Sequence, residues 1–408
     1  MWWLTAAGLI ALDTGGYLEV RTQVASGVEG DPLGVTERFR PSLEAQPWER
    51  VEIHATLEAA LAQGRDESQV AWDLVNEAVG DLLAVAGCSL PEPAPRVETM
   101  DDVLSVERLF VDFYLPAVDI RVGRQALNWG SALVLNPTDL FGEVLLAEPW
   151  RERAGVDAAR ATVPIGESHQ VVGVAAVERD LEEGRFGLRP TVSLWETDVS
   201  GVGVMDTEGE AFLGVDLRGQ VEVGWWLEGG VHMLEEATPE ASLGLDYSLP
   251  VDSRLFFALQ YTYDGTGVAP EDYSLASRGM VVEAPECSAA SMNLDLGLPE
   301  ATEPRFTLGR HYGLATTRFY PGDLWAVQAM ALVNLEDFSA LVVPTVSWTP
   351  GQRLSLHGGA QVMVGEGEFA PGPDLTTLTI GEEGSPVEID FGGIVPSVVG
   401  FLYARVAL

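Results

Sequence analysis

The sequence predicts an all-β fold: a transmembrane, antiparallel up-and-down β-barrel of about sixteen to eighteen strands, with one short helix in a long loop. Three observations predict this fold class. Apolar and polar residues alternate strictly over segments of strand length. Short proline-bearing turns alternate with long acidic connections. No apolar run approaches the roughly 20 residues that a membrane-spanning helix requires.

The first twelve residues differ in character from the rest. Residues 2–12, WWLTAAGLIAL, have the length and hydrophobicity of a signal-peptide h-region, without a basic n-region or a small-residue cleavage site. We interpret residues 1–12 as the remnant of a signal peptide, with a first strand or its lead-in as the alternative. Residues 13–408 are interpreted as one barrel domain, because no Ser/Gly linker or shift in composition divides them.

Alternation of period two, which is typical of a strand, is clearest in three segments. The apolar positions on one side are Val221, Val223, Trp225, Leu227, Val231 and Met233; Leu255, Phe257, Leu259, Tyr261 and Tyr263; and Leu354, Leu356, Ala360, Val362 and Val364. Polar residues, including Glu222, Glu228 and Gln260, take the other side. A soluble sandwich would show the same alternation, so the turns have to distinguish the two folds.

The connections follow the pattern of outer-membrane barrels, short on one side and long on the other. Tight breaks fall near Pro47, Pro116, Pro164, Pro250, Pro321 and Pro350. The longest connections are 63–102, 128–154, 264–304 and 366–392. Counting up and down from Tyr17 gives about eighteen strands, with sixteen as the alternative. Pro344 lies inside the predicted strand Leu341 to Trp348, so we expect a bulge there.

One insertion breaks the β pattern. Within 66–86, apolar residues from Val70 to Leu83 recur at helical spacing, and the run ends at Gly87. We predict a short amphipathic helix, lying either across the rim of the barrel or in its mouth.

Charge and rare residues exclude several function classes. The net charge is −39 and all 23 basic residues are arginine, so phosphate is repelled and nucleic acid is excluded as a partner. Five scattered histidines form no GxSxG, HExxH or Cys/His motif, and we therefore predict no enzyme, no cofactor and no metal site. Cys88 and Cys287 fall in two long loops, either as a disulfide or as two isolated apolar side chains.

The segment 121–141, RVGRQALNWGSALVLNPTDLF, is followed at 152–166 by ERAGVDAARATVPIG. The pair resembles a family of Gram-negative outer-membrane porin-like β-barrels that carry a GRQ–WG–NP(T/V)D motif and then GVDALR. Matching residues are Arg124, Gln125, Trp129, Gly130, Asn136, Pro137, Asp139, Gly155, Asp157 and Arg160. Similar segments are GLDYSLP, LGRHYG at 308–313, NLEDFSALVVPTVSW at 334–348 and GEGEF at 365–369. The chain departs from the family at Ala159, where a bulky apolar residue is usual, and at Leu408, where a terminal aromatic is usual.

A hairpin built on this motif and folded into the lumen would narrow a pore. Arginines there are expected to meet carboxylates on neighbouring strands, either as a charged eyelet that sorts solutes or only as bracing of the wall. The candidate pore-lining or constriction residues are Asp112, Asp119, Arg121, Arg124, Gln125, Trp129, Asn136, Asp139, Asp157 and Arg160.

The predicted function is an outer-membrane porin-like channel for passive or selective passage of small solutes. Acidic loops at the outer mouth would favour cations. The expected partners are membrane lipid and lipopolysaccharide, small solutes and loosely bound divalent cations. The alternatives are a secreted or periplasmic β-protein that binds polysaccharide and, third, an outer-membrane barrel enzyme.

Overall fold

The computed structural model describes residues 11–26, 33–63, 88–89, 104–142, 153–177, 184–233, 237–249, 255–273, 286–287, 307–370, 377–380, 387–390 and 397–408. The predicted helix at 66–86 and most of the acidic residues expected at the mouth lie outside this part of the chain. Among the described residues, no helix is long and apolar enough to span a bilayer.

Eighteen strands form one closed antiparallel sheet, which confirms the predicted fold class at its higher strand number. They are β1 (Ala11–Ser26), β2 (Leu33–Trp48), β3 (Val51–Gln63), β5 (Leu104–Tyr114), β6 (Asp119–Gln125), β7 (Val156–Ile165), β8 (His169–Val177), β9 (Gly184–Leu194), β10 (Thr197–Asp206), β11 (Ala211–Gln220), β12 (Gly224–Met233), β13 (Ala237–Leu249), β14 (Leu255–Asp264), β16 (His311–Gly322), β17 (Trp325–Asn334), β18 (Ala340–Trp348), β19 (Leu354–Val364) and β22 (Val398–Ala407). Each pairs with its neighbours in the chain, and β22 pairs with β1 to close the barrel.

Four short strands lie in the long connections. β4 (Cys88–Ser89) pairs with β15 (Glu286–Cys287), and β20 (Thr377–Ile380) pairs with β21 (Val387–Asp390). The first of these ladders sets Cys88 directly opposite Cys287 in register.

The predicted division into short and long connections is confirmed. On one side the turns are short, as at 49–50, 115–118 and 166–168. On the other side lie the long connections 64–103, 126–155, 265–310 and 365–397, within a few residues of those predicted. In barrels of this kind the short turns lie on the periplasmic side.

The strict alternation separates an apolar outer face from a mixed inner face. On β14, Phe257 and Leu259 are 41% and 54% exposed and point outward, whereas Ala258 and Gln260 are buried inside. On β12, Leu227 points outward and Glu228 inward. A soluble protein hides its apolar side chains, so an exposed apolar belt around a closed barrel marks a surface that contacts lipid.

Two local details differ from the sequence-based expectations, and β1 extends into the segment 1–12, for which a first strand or its lead-in was the alternative. β12 begins at Gly224, so Val221, Glu222 and Val223 lie in the turn; their alternation continued past the strand because turn residues can repeat it by chance. β1 begins at Ala11 and takes the last two residues of the segment 1–12. The bulge expected at Pro344 is absent: pairing with β19 skips residues 343 and 344 and resumes at Thr345 in unchanged register. Losing one donor therefore interrupts the ladder without requiring an extra residue.

Candidate functional site

Residues 126–142, here called the constriction loop, connect β6 towards β7 and lie inside the barrel. Leu127, Trp129 and Phe141 are buried against the inner wall of β7, β8, β10 and β11. Their partners are Ala158, Val174, Ala176, Val202, Val204 and Phe212. On β9, a Cβ at Gly187 would lie 2.5 Å from Trp129 and 2.7 Å from Phe141, so this close packing requires glycine.

A second apolar contact fixes the loop to another part of the wall. Val134 is buried in a cluster formed by β16 to β19 and β22, and Leu135 packs against it. The wall residues are Tyr312, Leu314, Met330, Leu332, Leu341, Val343, Phe401 and Tyr403. The constriction loop therefore spans from the inner face of β7–β11 to that of β16–β22.

Between these two contacts, the loop backbone is held by two side chains of the wall. Glu228 on β12 accepts hydrogen bonds from the amides of Ser131 (3.2 Å) and Ala132 (3.0 Å) and from the Thr138 hydroxyl (2.7 Å). Gln260 on β14 accepts from the Leu133 amide at 2.8 Å and donates to the Val134 carbonyl at 2.5 Å. Both side chains are buried, so these bonds are shielded from water.

The loop also has internal bonds that explain its motif residues. Asn136 donates to the Trp129 carbonyl at 2.8 Å and accepts from the Thr138 amide, while Asp139 accepts from the Trp129 amide at 3.2 Å. Asp139 also pairs with Arg153. Gly130 has φ +83°, and a Cβ there would collide with Asn136, Thr138 and Glu228. The residues of the WG–NPTD motif therefore determine the conformation of the loop.

The wall at the seam where the barrel closes carries a network of buried ion pairs. Glu19 on β1 accepts from Arg38 on β2 at 2.9 Å and from Arg405 on β22 at 2.8 Å. Arg38 also lies 3.0 Å from Glu58 on β3. Glu19, Arg38 and Glu58 are each at most 5% exposed. Four neighbouring strands are therefore linked through charges on their inner faces.

Further round the wall, Asp112 on β5 receives two hydrogen bonds from Arg121 on β6, at 2.7 and 2.8 Å. The Arg121 guanidinium lies 4.0 Å from the centre of the Phe110 ring. In register, Arg160 on β7 lies opposite Arg121, and Asp119 lies nearer the short turns. This confirms the expected contact between Arg121 and Asp112 and places Arg160 on the same inner face.

Three of the candidate pore residues have other positions. Arg124 and Asp157 form a pair at 2.6 Å, as expected, but register places them on the outer face, opposite Leu109 and Val177, because they are one residue out of phase with Arg121. Gln125 points inward but is fully buried and donates to the Ala158 carbonyl at 2.9 Å. It supports the wall rather than facing an open passage.

A second inward segment follows β19. Glu368 is buried and accepts hydrogen bonds from the Leu308 amide (2.7 Å), the Tyr312 hydroxyl (2.7 Å) and the Asn334 amide group (2.6 Å). Burial raises the pKa of the Glu368 carboxyl. Glu368 lies in one of the long acidic connections but is buried, beside Phe369, which joins the cluster around Val134.

Sequence reasoning missed the roles of Glu228, Gln260 and Glu19. Alternation already placed Glu228 and Gln260 on the inner face, which was the available signal. Their partners are 97 and 127 residues away along the chain, and no local pattern indicates such contacts.

No protein-family model and no curated protein sequence matches the chain. Among solved structures, OccAB1 of Acinetobacter baumannii is similar with a TM-score of 0.51 and 10% identity, covering 99% of this chain and 98% of that one. OccK11 (OpdR) of Pseudomonas aeruginosa is similar with a TM-score of 0.51 and 11% identity, covering 97% of this chain and 96% of that one. Both are Gram-negative outer-membrane porins. The chain therefore has the fold of an outer-membrane porin, a large transmembrane β-barrel.

Proposed function

We propose that the protein is an outer-membrane channel for the passive or selective passage of small solutes. The observation that carries this proposal is the constriction loop, which is attached inside a closed barrel by Glu228 and Gln260. A loop of this kind narrows a lumen and gives it a defined inner edge. The rest of the inner wall, formed by β1, β2, β3, β5 and β6, is charged, and Asp112, Arg121 and, beside them on β7, Arg160 are our candidates for lining the passage.

Most of the remaining candidates hold the constriction loop and the adjacent wall in place. Trp129, Asn136 and Asp139 fix the conformation of the constriction loop, and Gln125 fixes the wall beneath it. Asp119, at the start of β6, is our candidate for a charge at the short-turn end of the passage.

We further propose that the channel favours cations. Several inward arginines of the described wall have carboxylate partners: Arg38 pairs with Glu19 and Glu58, and Arg189 pairs with Asp216 at 2.6 Å. The positive charge of these arginines is thereby offset, and the acidic excess of the chain, −39 overall, sets the sign of the potential. The acidic loops would also bind divalent cations loosely and bridge to lipopolysaccharide, while the apolar belt contacts lipid.

The two other function classes have less support. A secreted polysaccharide-binding protein would need a polar outer surface, whereas Leu227, Leu259 and Phe257 point outward. Structural similarity to porins favours a channel over a barrel enzyme.

Planar-bilayer recording tests the proposal. Purified, folded protein should produce stepwise conductance, and the reversal potential in a KCl gradient should have the sign of cation preference. That preference should shrink between dilute and molar salt, because screening shortens the field. Folded protein without conductance would refute the channel, and a permeability ratio unchanged by salt would refute the electrostatic origin of the selectivity.

Two neighbouring arginines on β6 provide a matched pair of variants. Arg121→Gln removes a positive charge from the inner face and should raise the preference for cations. Arg124→Gln removes the same charge from the outer face and should leave the reversal potential unchanged. Equal effects of the two substitutions on the reversal potential would contradict the assignment of Arg121, and not Arg124, to the passage.

A further inference from the structure

His54 on β3 differs from the other four histidines of the chain in its surroundings. His169, His232, His311 and His357 each have a ring nitrogen 2.7 to 3.3 Å from a hydrogen-bonding or ion-pair partner. The polar neighbours of His54 are three carboxylates at 3.4 to 3.7 Å. Its ring is held by stacking on Phe110, with centroids 4.6 Å apart.

Two of these carboxylates converge on the same nitrogen. His54 Nε2 lies 3.7 Å from Glu52 Oε2 and 3.6 Å from Asp112 Oδ2. One ligand atom from each of the three residues fits within 4.8 Å of the others. Donor atoms bound at about 2.1 Å to one tetrahedral ion lie roughly 3.4 Å apart, so the two distances to His54 Nε2 exceed that spacing by only about 0.2 to 0.3 Å, which a small side-chain rotation closes.

The second ring nitrogen of His54, Nδ1, lies near the kind of partner that a metal-bound histidine commonly has. His54 Nδ1 lies 3.4 Å from Glu44 Oε1 on β2. A metal-ligating imidazole commonly directs its second N–H to a carboxylate, which fixes the tautomer and orients the ring. Glu44 is an independent strand neighbour, and its position fits this arrangement.

The site has space and an opening. Glu44, Glu52 and His54 line a recess of about 290 Å³ together with Asp13 and Gln46. Arg121 fixes the Asp112 carboxylate by two hydrogen bonds, and the Tyr114 hydroxyl donates to Glu52 at 2.9 Å. Hydrogen bonds thus fix both carboxylates in advance, and the recess, which Glu52 and His54 line but Asp112 does not, can hold water ligands.

We propose that Glu52, His54 and Asp112 form a binding site for a divalent transition-metal ion, Zn²⁺ being the probe of choice, in the inner wall of the barrel near its short turns. One imidazole and two carboxylates select such an ion over Mg²⁺, which prefers oxygen ligands alone. This site is separate from the loose binding of divalent cations expected at the acidic mouth and does not depend on the channel proposal.

Isothermal titration calorimetry of tag-free, EDTA-treated protein in detergent tests the site. Zn²⁺ should bind with a stoichiometry of one in a background of millimolar Mg²⁺ that saturates weak carboxylate sites. His54→Gln should abolish this binding, and Glu44→Gln should weaken it about tenfold by releasing the ring. His232→Gln serves as the matched control, because His232 lies 3.1 Å from the single carboxylate Glu240, and Zn²⁺ affinity should stay unchanged.

X-ray absorption at the zinc edge gives a second measurement. The spectrum should show one imidazole nitrogen and oxygen ligands in the wild type, and Glu52→Gln should change the oxygen shell while the barrel stays folded. Absence of stoichiometric Zn²⁺ binding in the wild type, or equal binding by His54→Gln, would overturn the proposal.

Discussion

Replacing Glu228 by alanine should release the middle of the constriction loop. The substitution removes the acceptor of three hydrogen bonds, from Ser131, Ala132 and Thr138, and leaves their donors facing a buried gap. At about 1 kcal/mol net for each of the three bonds, the loss is about 3 kcal/mol. This energy shifts the equilibrium between attached and detached loop by roughly 160-fold.

Single-channel recording should then show a larger mean conductance and more open-channel noise in Glu228→Ala. Adding Gln260→Ala should increase both effects, since Gln260 holds the adjacent residues Leu133 and Val134. Asp246→Ala is the control: it removes an inward carboxylate from β13, nearer the short turns, and should leave the noise unchanged. If Glu228→Ala folds and conducts like the wild type, the wall does not hold the loop through this carboxylate.

Three further predictions concern the attachment of a loop segment, the stability of the barrel and a disulfide. Burial raises the pKa of Glu368, so attachment of segment 365–370 is favoured at acidic pH and weakens as the pH rises through that pKa. Amide hydrogen exchange in this segment should therefore accelerate with pH by more than its intrinsic pH dependence. Glu368→Gln should remove this additional acceleration. Glu19→Gln leaves two arginines short of a buried partner and should destabilise the barrel by about 3 kcal/mol, seen as a lower unfolding temperature on heated gels, whereas Asp13→Asn should have no effect. Cys88 and Cys287 should form a disulfide, so maleimide should label them only after reduction; labelling without reductant contradicts this.

Strand positions could be predicted from the sequence because each depends on local alternation. Leu255 to Tyr263 shows this directly, since every outward residue there is apolar and the lipid-facing side needs no other information. Turn lengths could also be predicted, because the proline-bearing turn signals are local in the sequence. The strand start near Val221 was mispredicted for the same reason: alternation that runs on into a turn has no marker for where pairing stops.

The attachment of the constriction loop could not be predicted in this way. Residues Ser131 and Glu228 meet only once the barrel has closed and the loop has turned inward. Whether Arg121 or Arg124 points into the barrel would be reversed by a shift of one residue along β6, and only the pairing of β6 with β5 and β7 shows which one does. Motif resemblance indicated a loop in the lumen without indicating what holds it.

The pairing of β22 with β1 has a consequence for assembly. Both strands must be present before the sheet can close, and until then each exposes an edge of unpaired backbone groups that can pair with other chains. Glu19 and Arg405 meet across this joint, so their ion pair forms only at the final step. A chain arrested before that step would be an open, aggregation-prone sheet without this ion pair. To stay unaggregated in the periplasm, its two edges would have to be shielded until the barrel closes.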